Sequence, residues 1–311
     1  MRVIRRTPRA RRQSVLVLAV VASVVALGAA CNTDRNTTAR GECPVDPLDV
    51  VVTVNQWSDL VTRLGGDCTA VRTIVTGAVG DPHDFEPRPA DAARIENADL
   101  VISNGADYDH WADLALDAAD RPPRHLSVAA AAGVADGDDP HLWYSPTVVG
   151  EFVRALSATL QGALRAASDY LAGRAAACND YLAPYFDRVA AMRTLGNGAT
   201  FAATEPVFDR LAEAIGLRDV TPESYRRSAR SGTEPAPAAF IELRSVIETR
   251  DASFLVVNPQ TEGPGARRLR QSAQRSEVAV VEITETQPPG DRGFVAWQLR
   301  QLHDVEVALR G

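Results

Sequence analysis

Short apolar runs alternate with amphipathic stretches along most of this chain, and the alternation predicts strands and helices in turn. Asp49–Val54 (DVVVTV) is β-branched and reads as a buried strand, and Ser58–Leu64 reads as a short helix stopped by Gly65-Gly66. A second strand is predicted over Thr69–Thr76 (TAVRTIVT), a helix opening on proline over Pro89–Asn97, and a third strand over Leu100–Ser103 (LVIS). Apolar residues three and four apart then mark two helices, Pro146–Leu164 and Ala167–Leu195. The second is about 40 Å long at 1.5 Å per residue, and Pro184 is expected to kink or interrupt it. Gly196-Asn197-Gly198 ends it, and a second strand–helix series runs through Thr200–Ala203, Phe208–Ile215, Pro237–Thr249, Ser253–Val257, Ala266–Arg275, Val278–Ile283 and Phe294–Leu309. Such alternation makes an α/β protein, here two parallel-sheet lobes joined by one long helix.

The first thirty residues stand apart from this pattern. Arg2, Arg5, Arg6, Arg9, Arg11 and Arg12 precede the apolar run Val15–Ala26, and the small residues Gly28-Ala29-Ala30 follow, as in an export signal. The apolar run is short for a membrane span. Cys31 directly after the small residues resembles a bacterial lipobox, whose cysteine becomes the acylated N-terminus, although Leu27 stands one place further away than that pattern has it. The expected location is therefore the outer face of the cell membrane, with a lipid on Cys31. The expected organisation is an export signal over 1–30, a polar tether over 31–47 and an N-terminal α/β lobe over 48–145. Helices including the interlobe helix follow over 146–197, and a C-terminal α/β lobe over 198–311.

Composition narrows the function. The formal charge is −7, and −13 without the six leader arginines. An acidic body with no basic arm argues against a nucleic-acid partner; a monomer is expected. There is no lysine anywhere, which excludes a P-loop lysine, a Schiff-base enzyme and a Ser–Lys dyad. Cys43, Cys68 and Cys178 remain beyond Cys31; they are too widely spaced for a zinc cluster, and an exported chain permits one disulfide and one leftover thiol, the pairing open.

Only five histidines occur, and two share one setting: Asp81-Pro82-His83 and Asp139-Pro140-His141, each followed two positions later by an aromatic, Phe85 and Trp143. Proline fixes φ and removes a donor, so each imidazole is presented on a stiff bend after an extended residue. In parallel α/β sheets the loops at the carboxyl ends of strands build the sites. His83 and His141 fall on or near such loops of the first lobe, Glu205 and Glu285 on those of the second, so a ligand would lie in the cleft between them. Glu205 also suits a helix N-terminus as an acid favoured by the dipole. Glu282 competes with Glu285, because a one-residue register change reverses a strand side chain. Asp84 and Glu86 are either acceptors for a ring N–H or loop charges. His110, His125 and His303 read as surface or structural residues, and Trp57, Trp111 and Trp143 as core or cleft walls.

These motifs together resemble the zinc and manganese solute-binding proteins of bacterial ABC importers, from about Asp49 to Leu309. Asp81-Pro82-His83-Asp84-Phe85-Glu86-Pro87 has that family's Asp-Pro-His, variable, aromatic, Glu-Pro order. Ala98–Gly105 with Trp111, Asp139–Trp143 with Pro146, Glu205-Pro206-Val207-Phe208 with Gly216-Leu217, and Val256-Val257-Asn258-Pro259-Gln260 are similar to further family segments. The resemblance implies two lobes, a connecting helix and one buried divalent cation held by His83, His141, Glu205 and Glu285. It also implies a membrane permease as partner. Two departures bear on the metal. Glu205 stands where many members have histidine, and the histidine-rich loop of many zinc binders is absent, with only the acidic Asp136–Asp139 near its place. Two carboxylates lean the site toward Mn²⁺, while Zn²⁺ accepts mixed imidazole–carboxylate sets and binds more tightly in general. Ala106 replaces a frequent glycine and is expected to affect only local packing. Four protein ligands around a metal suit a non-enzymatic carrier. The alternatives are a metal-dependent hydrolase, which no His-Glu-x-x-His or nucleophile elbow supports, and a surface adhesin with a structural metal.

Overall fold

The computed structural model describes residues 42–77 and 85–311. The leader, Cys31, the tether as far as residue 41, and the segment 78–84 with His83 and Asp84 lie outside the described residues. The first lobe is built from Leu48–Val54 (β1), Ser58–Gly65 (α1), Thr69–Val75 (β2), Pro89–Glu96 (α2), Leu100–Ser103 (β3), His110–Asp117 (α3), Arg124–Ser127 (β4) and Val128–Ala132 (α4). Its strands are all parallel in the order β2-β1-β3-β4. β1 lies inside the sheet, so Val50, Val51, Val52 and Val54 are buried on both faces, which is why its run is apolar without alternation. β2 takes the edge and keeps several half-exposed positions. β4 (RHLS) takes the other edge with no apolar run, so the hydrophobic pattern did not announce it.

Pro146–Ala163 (α5) and Ser168–Gly196 (α6) follow. Of the two expectations at Pro184, a kink or an interruption, the interruption does not occur: α6 runs continuously over 29 residues. A proline inside a helix costs about 3 kcal/mol. Here Leu182, Tyr185, Val189 and Met192 are buried around it, and α6 packs against α1, α5 and α11, so tertiary burial outweighs the lost hydrogen bond.

The second lobe comprises Thr200–Ala203 (β5), Asp209–Ala214 (α7), Arg218–Asp219 (β6), Glu223–Arg230 (α8), Pro237–Glu248 (α9), Phe254–Val257 (β7), Pro264–Arg275 (α10), Ala279–Glu282 (β8) and Phe294–Arg310 (α11). Its order, β6-β5-β7-β8, repeats that of the first lobe, again all parallel. In each sheet the strand order therefore switches sides beside the first strand, between β1 and β3 and between β5 and β7, where crevices form at the carboxyl ends.

The lobes share one continuous apolar core, from Val50 to Val305. A polar strut also crosses at the rear. Asp59 on α1 accepts from the Tyr181 hydroxyl of α6 at 2.8 Å and from the first amide of α11, Phe294, at 3.0 Å. The carboxylate thus stands at the positive end of a helix from the opposite lobe. Gly293 leads into that helix at φ 92°, and a Cβ there would come within 2.7 Å of Asp59 Oδ2 and 2.8 Å of the Tyr181 hydroxyl, so both backbone and space require glycine.

Cys43 is bonded to Cys68, while Cys178 is a free thiol buried in α6 whose pKa burial pushes up to about 11. Ala106 corrects one expectation. It adopts φ 52°, in the left-handed region where an L side chain costs roughly 1–2 kcal/mol, so its replacement of glycine acts on the backbone and not only on packing. No helix among the described residues is long and apolar enough to cross a membrane.

Candidate metal site

His141 is placed by a chain of hydrogen bonds that begins at the end of β3. Asp109 receives the amides of Asn104 at 2.7 Å and Gly105 at 2.8 Å and the Thr53 hydroxyl, which fixes the turn after the strand. Burial raises the Asp109 pKa, and these three donors only partly offset it. Asn104, its side-chain oxygen held by Trp57 Nε1 at 3.0 Å, donates to the Pro140 carbonyl at 2.9 Å and so locates the second Asp-Pro-His.

Within that motif the short bend folds Asp139 back onto its own histidine. Asp139 Oδ1 accepts the His141 amide at 3.1 Å and lies 2.6 Å from Nδ1. A carboxylate can only accept, so Nδ1 carries the hydrogen and Nε2 is turned toward the cleft. There Nε2 lies 3.7 Å from Glu285 Oε1. The ring is only 4% exposed and meets Trp143 edge-on, centroids 5.5 Å apart. Burial opposes charge on this ring, yet the hydrogen bonds and charges of Asp139 and Glu285 outweigh it and push its pKa up to about 9. Asp139 moves the other way: burial would raise it, but His141 and Arg210 hold it below the usual carboxylate range. Arg210, on α7 of the second lobe, donates to the Asp139 carbonyl at 2.9 Å and lies 3.3 Å from its Oδ2, so the opposite lobe grips the residue that orients the imidazole.

The two glutamates stand on loops after β5 and β8. Glu285 is 2% exposed, its carbonyl accepting from Gln56 of the first lobe at 3.1 Å. Thr284 beside it is held by Gln301 and Trp297. Tyr108 also faces this carboxylate, and burial followed by the Glu285 charge keeps its phenol well above the ordinary value. Glu205 is half-buried, and its Oε1 accepts from the Thr261 hydroxyl at 2.6 Å. Between the glutamates lies Asn258, at the end of the central strand β7, whose Nδ2 is 3.2 Å from Glu205 Oε2 and 3.4 Å from Glu285 Oε2.

His141, Glu205 and Glu285 thus line one cleft of about 910 Å³. Among the described residues no three His, Cys, Asp or Glu side chains are gathered closely enough to hold a metal ion. His141 and Glu285 are within ion-pair reach, and Glu205 joins them through Asn258. His83 lies outside the described residues. Glu282 is exposed on β8 and paired with Arg270 at 2.7 Å. His110 and His303 are exposed. His125 is structural: its Nε2 lies 2.7 Å from Ser103 Oγ across β3 and β4. Ser103 is fully buried, so this is a bond between neighbouring strands with no accessible nucleophile. Sequence reasoning missed Asp139, Tyr108 and Asn258. Asp139 had a signal, its place two residues before the histidine across a proline. Tyr108 and Asn258 reach the site only through tertiary folding.

The family model of the periplasmic zinc-uptake complex component A matches residues 50–308. The high-affinity zinc uptake system protein ZnuA of Bacillus subtilis is 25% identical over 261 residues, 76% of this chain and 79% of that protein. The iron-binding protein YfeA of Yersinia pestis is 23% identical over 151 residues, 45% of each chain. The chain spans about half the length of the first curated relatives it matches, 51% and 45%. Among solved structures, the periplasmic zinc-binding protein TroA of Treponema pallidum superposes with a TM-score of 0.69 at 16% identity, covering 85% of this chain and 99% of that one.

Proposed function

The chain belongs to the family of the periplasmic zinc-uptake complex component A, and from that premise we propose that it captures one divalent transition metal between its lobes outside the membrane and hands it to an ABC import permease. It is a transport component, not an enzyme. The metal is its cargo, Zn²⁺ or Mn²⁺, and the ligand set is His83, His141, Glu205 and Glu285. The observation that carries this reading is the approach of His141 Nε2 to Glu285 Oε1, 3.7 Å, between loops of opposite lobes. A ring oriented by a carboxylate on one nitrogen and facing another carboxylate with the other is the arrangement of a metal-ligating histidine.

Protein stripped with chelator and titrated with Zn²⁺ or Mn²⁺ is expected to take up one equivalent, read by calorimetry and by elemental analysis after dialysis. Glu285→Gln weakens binding by more than about a hundredfold, beyond the 10–100-fold typical of outer partners, whereas Glu282→Gln leaves it unchanged. Equal losses in both variants, or no uptake by the wild type, would remove the assignment. Cys31 serves as the lipid anchor in this reading. Cys31→Ser moves the protein from the membrane fraction to the soluble exported fraction, and retention in the membrane fraction would overturn the anchor.

A further inference from the structure

Two polar seams join the lobes, and they differ in exposure. In the first, the loop after β1 holds the loop after β8. Asn55 Nδ2 donates to the Gln287 carbonyl at 3.0 Å, the Gln287 amide returns a bond to Asn55 Oδ1 at 3.3 Å, and fully buried Gln56 donates to the Glu285 carbonyl. In the second, Arg210 reaches Asp139. Its Nε lies 2.9 Å from the Asp139 carbonyl oxygen and 3.3 Å from Oδ2, and Nη2 donates to the same carbonyl. This contact borders an open groove of about 580 Å³ lined also by Val134, Asp138, Asp209 and Glu213. The side chains of Arg210 and Asp139 are 19% and 27% exposed. Arg210 is also tied to Glu205. The two flank the short turn Pro206–Phe208, whose Phe208 is fully buried against Phe201 of β5 and Phe254 of β7. Glutamate and arginine are therefore fixed to one sheet, while Asp139 commits Oδ1 to the amide and ring of His141 in the other lobe.

We propose that Arg210 is the latch of the cleft: it takes hold of Asp139 as the lobes close, in the movement that brings Glu205 toward His141, and its parting from Asp139 is the step that frees the metal. This rests on the metal-carrier reading above. The seam at Asn55 and Gln56 stays shut and serves as the pivot, while the exposed seam opens into its groove. Arg210 acts on the imidazole through Asp139, so it is a positioning residue. Charge alone would act in the opposite sense. A guanidinium beside a cation site repels the cation, so on Coulomb grounds its removal would tighten binding. As a latch, its removal speeds release.

The test follows Zn²⁺ release by stopped flow, with excess chelator added to loaded wild type, Arg210→Met, Arg210→Lys and Arg226→Met, and measures Zn²⁺ association separately. Arg210→Met releases roughly ten- to a hundredfold faster, the worth of hydrogen bonds from a charged group, while association changes by less than about threefold. Arg210→Lys keeps the charge but loses the planar Nε–Nη2 edge, and its release rate falls between those of wild type and Arg210→Met. Arg226 pairs with Asp209 and Asp219 of its own lobe, at 3.1 and 3.0 Å, so Arg226→Met releases at close to the wild-type rate. Release from Arg210→Met at or below the wild-type rate overturns the latch, and so does an equal acceleration in Arg226→Met. If Arg210→Met fails to fold, Arg210→Lys decides, and release at the wild-type rate overturns the proposal. Normal uptake with unaltered release in the Arg210 variants removes the latch and leaves the carrier reading standing, whereas a wild type that takes up no Zn²⁺ removes both.

Discussion

A chain carrying both His83→Ala and His141→Ala is expected to lose the metal-induced rise in melting temperature that the wild type shows. A ligand at a thousand times its dissociation constant stabilises the folded state by about 4 kcal/mol, a shift on the order of 10 °C for a protein of this size. Without both imidazoles the site keeps only carboxylates, and the shift falls to nearly nothing. The comparison must be between metal-loaded and metal-free samples of each protein, not between absolute melting temperatures. His141→Ala removes the buried ring that Asp139 and Glu285 both face, taking a positive partner from two carboxylates and destabilising the variant even without metal. Scanning calorimetry with and without Zn²⁺ reads the difference directly, and equal shifts in both proteins would sink the assignment.

The second large effect is on pH, and its sign differs between metal-free and metal-loaded protein. The His141 pKa is raised from 6.5 to about 9 in the folded chain. A raised folded pKa contributes stability that is fully present below 6.5 and lost as pH climbs through about 9, up to ~3 kcal/mol for one fully buried group. The metal-free protein therefore becomes less stable from neutral to alkaline pH. Asp139 sets the acid limit, since its lowered pKa gives stability that is lost only as pH falls below the ordinary carboxylate range. Metal binding runs the other way. Nε2 must be free of its proton to coordinate, so below about 9 each unit of acidification costs roughly tenfold in apparent affinity for this one proton, about a hundredfold from pH 8 to pH 6. Urea melts of the metal-free protein and Zn²⁺ titrations across pH 6 to 9 should give slopes of opposite sign. A flat binding profile would show that His141 is not a ligand.

Much of the architecture was legible because buried parallel strands advertise themselves. β1, β3, β5 and β7 are interior and apolar, and each was located from its run. What escaped was short: β4 and β6 at sheet edges, α8 (ESYRRSAR), whose residues are mostly exposed, and the apolar α3 (HWADLALD) and α4 (VAAAA), each eight residues or fewer. At Pro184 the helix continues where an interruption was one expectation, because the local cost is set against burial on either side of it. At the site, the repeated Asp-Pro-His drew the eye to imidazoles, and strand ends suggested the glutamates. Asn258 could not be read the same way. Its role depends on β7 lying between β5 and β8 in the sheet, an order fixed by tertiary pairing and not by sequence neighbours.

The Cys43–Cys68 bond has a mechanical consequence. A pull entering from the N-terminal side reaches Cys43 and divides there, one branch following the backbone into β1, the other crossing the sulfurs to the start of β2. Those two strands run parallel and in register from Leu48 beside Thr69 to Val54 beside Val75. Tension therefore loads two neighbouring strands at their beginnings and along their length, where many ladder hydrogen bonds resist in shear together. With the sulfurs reduced, the whole load would fall on β1 alone.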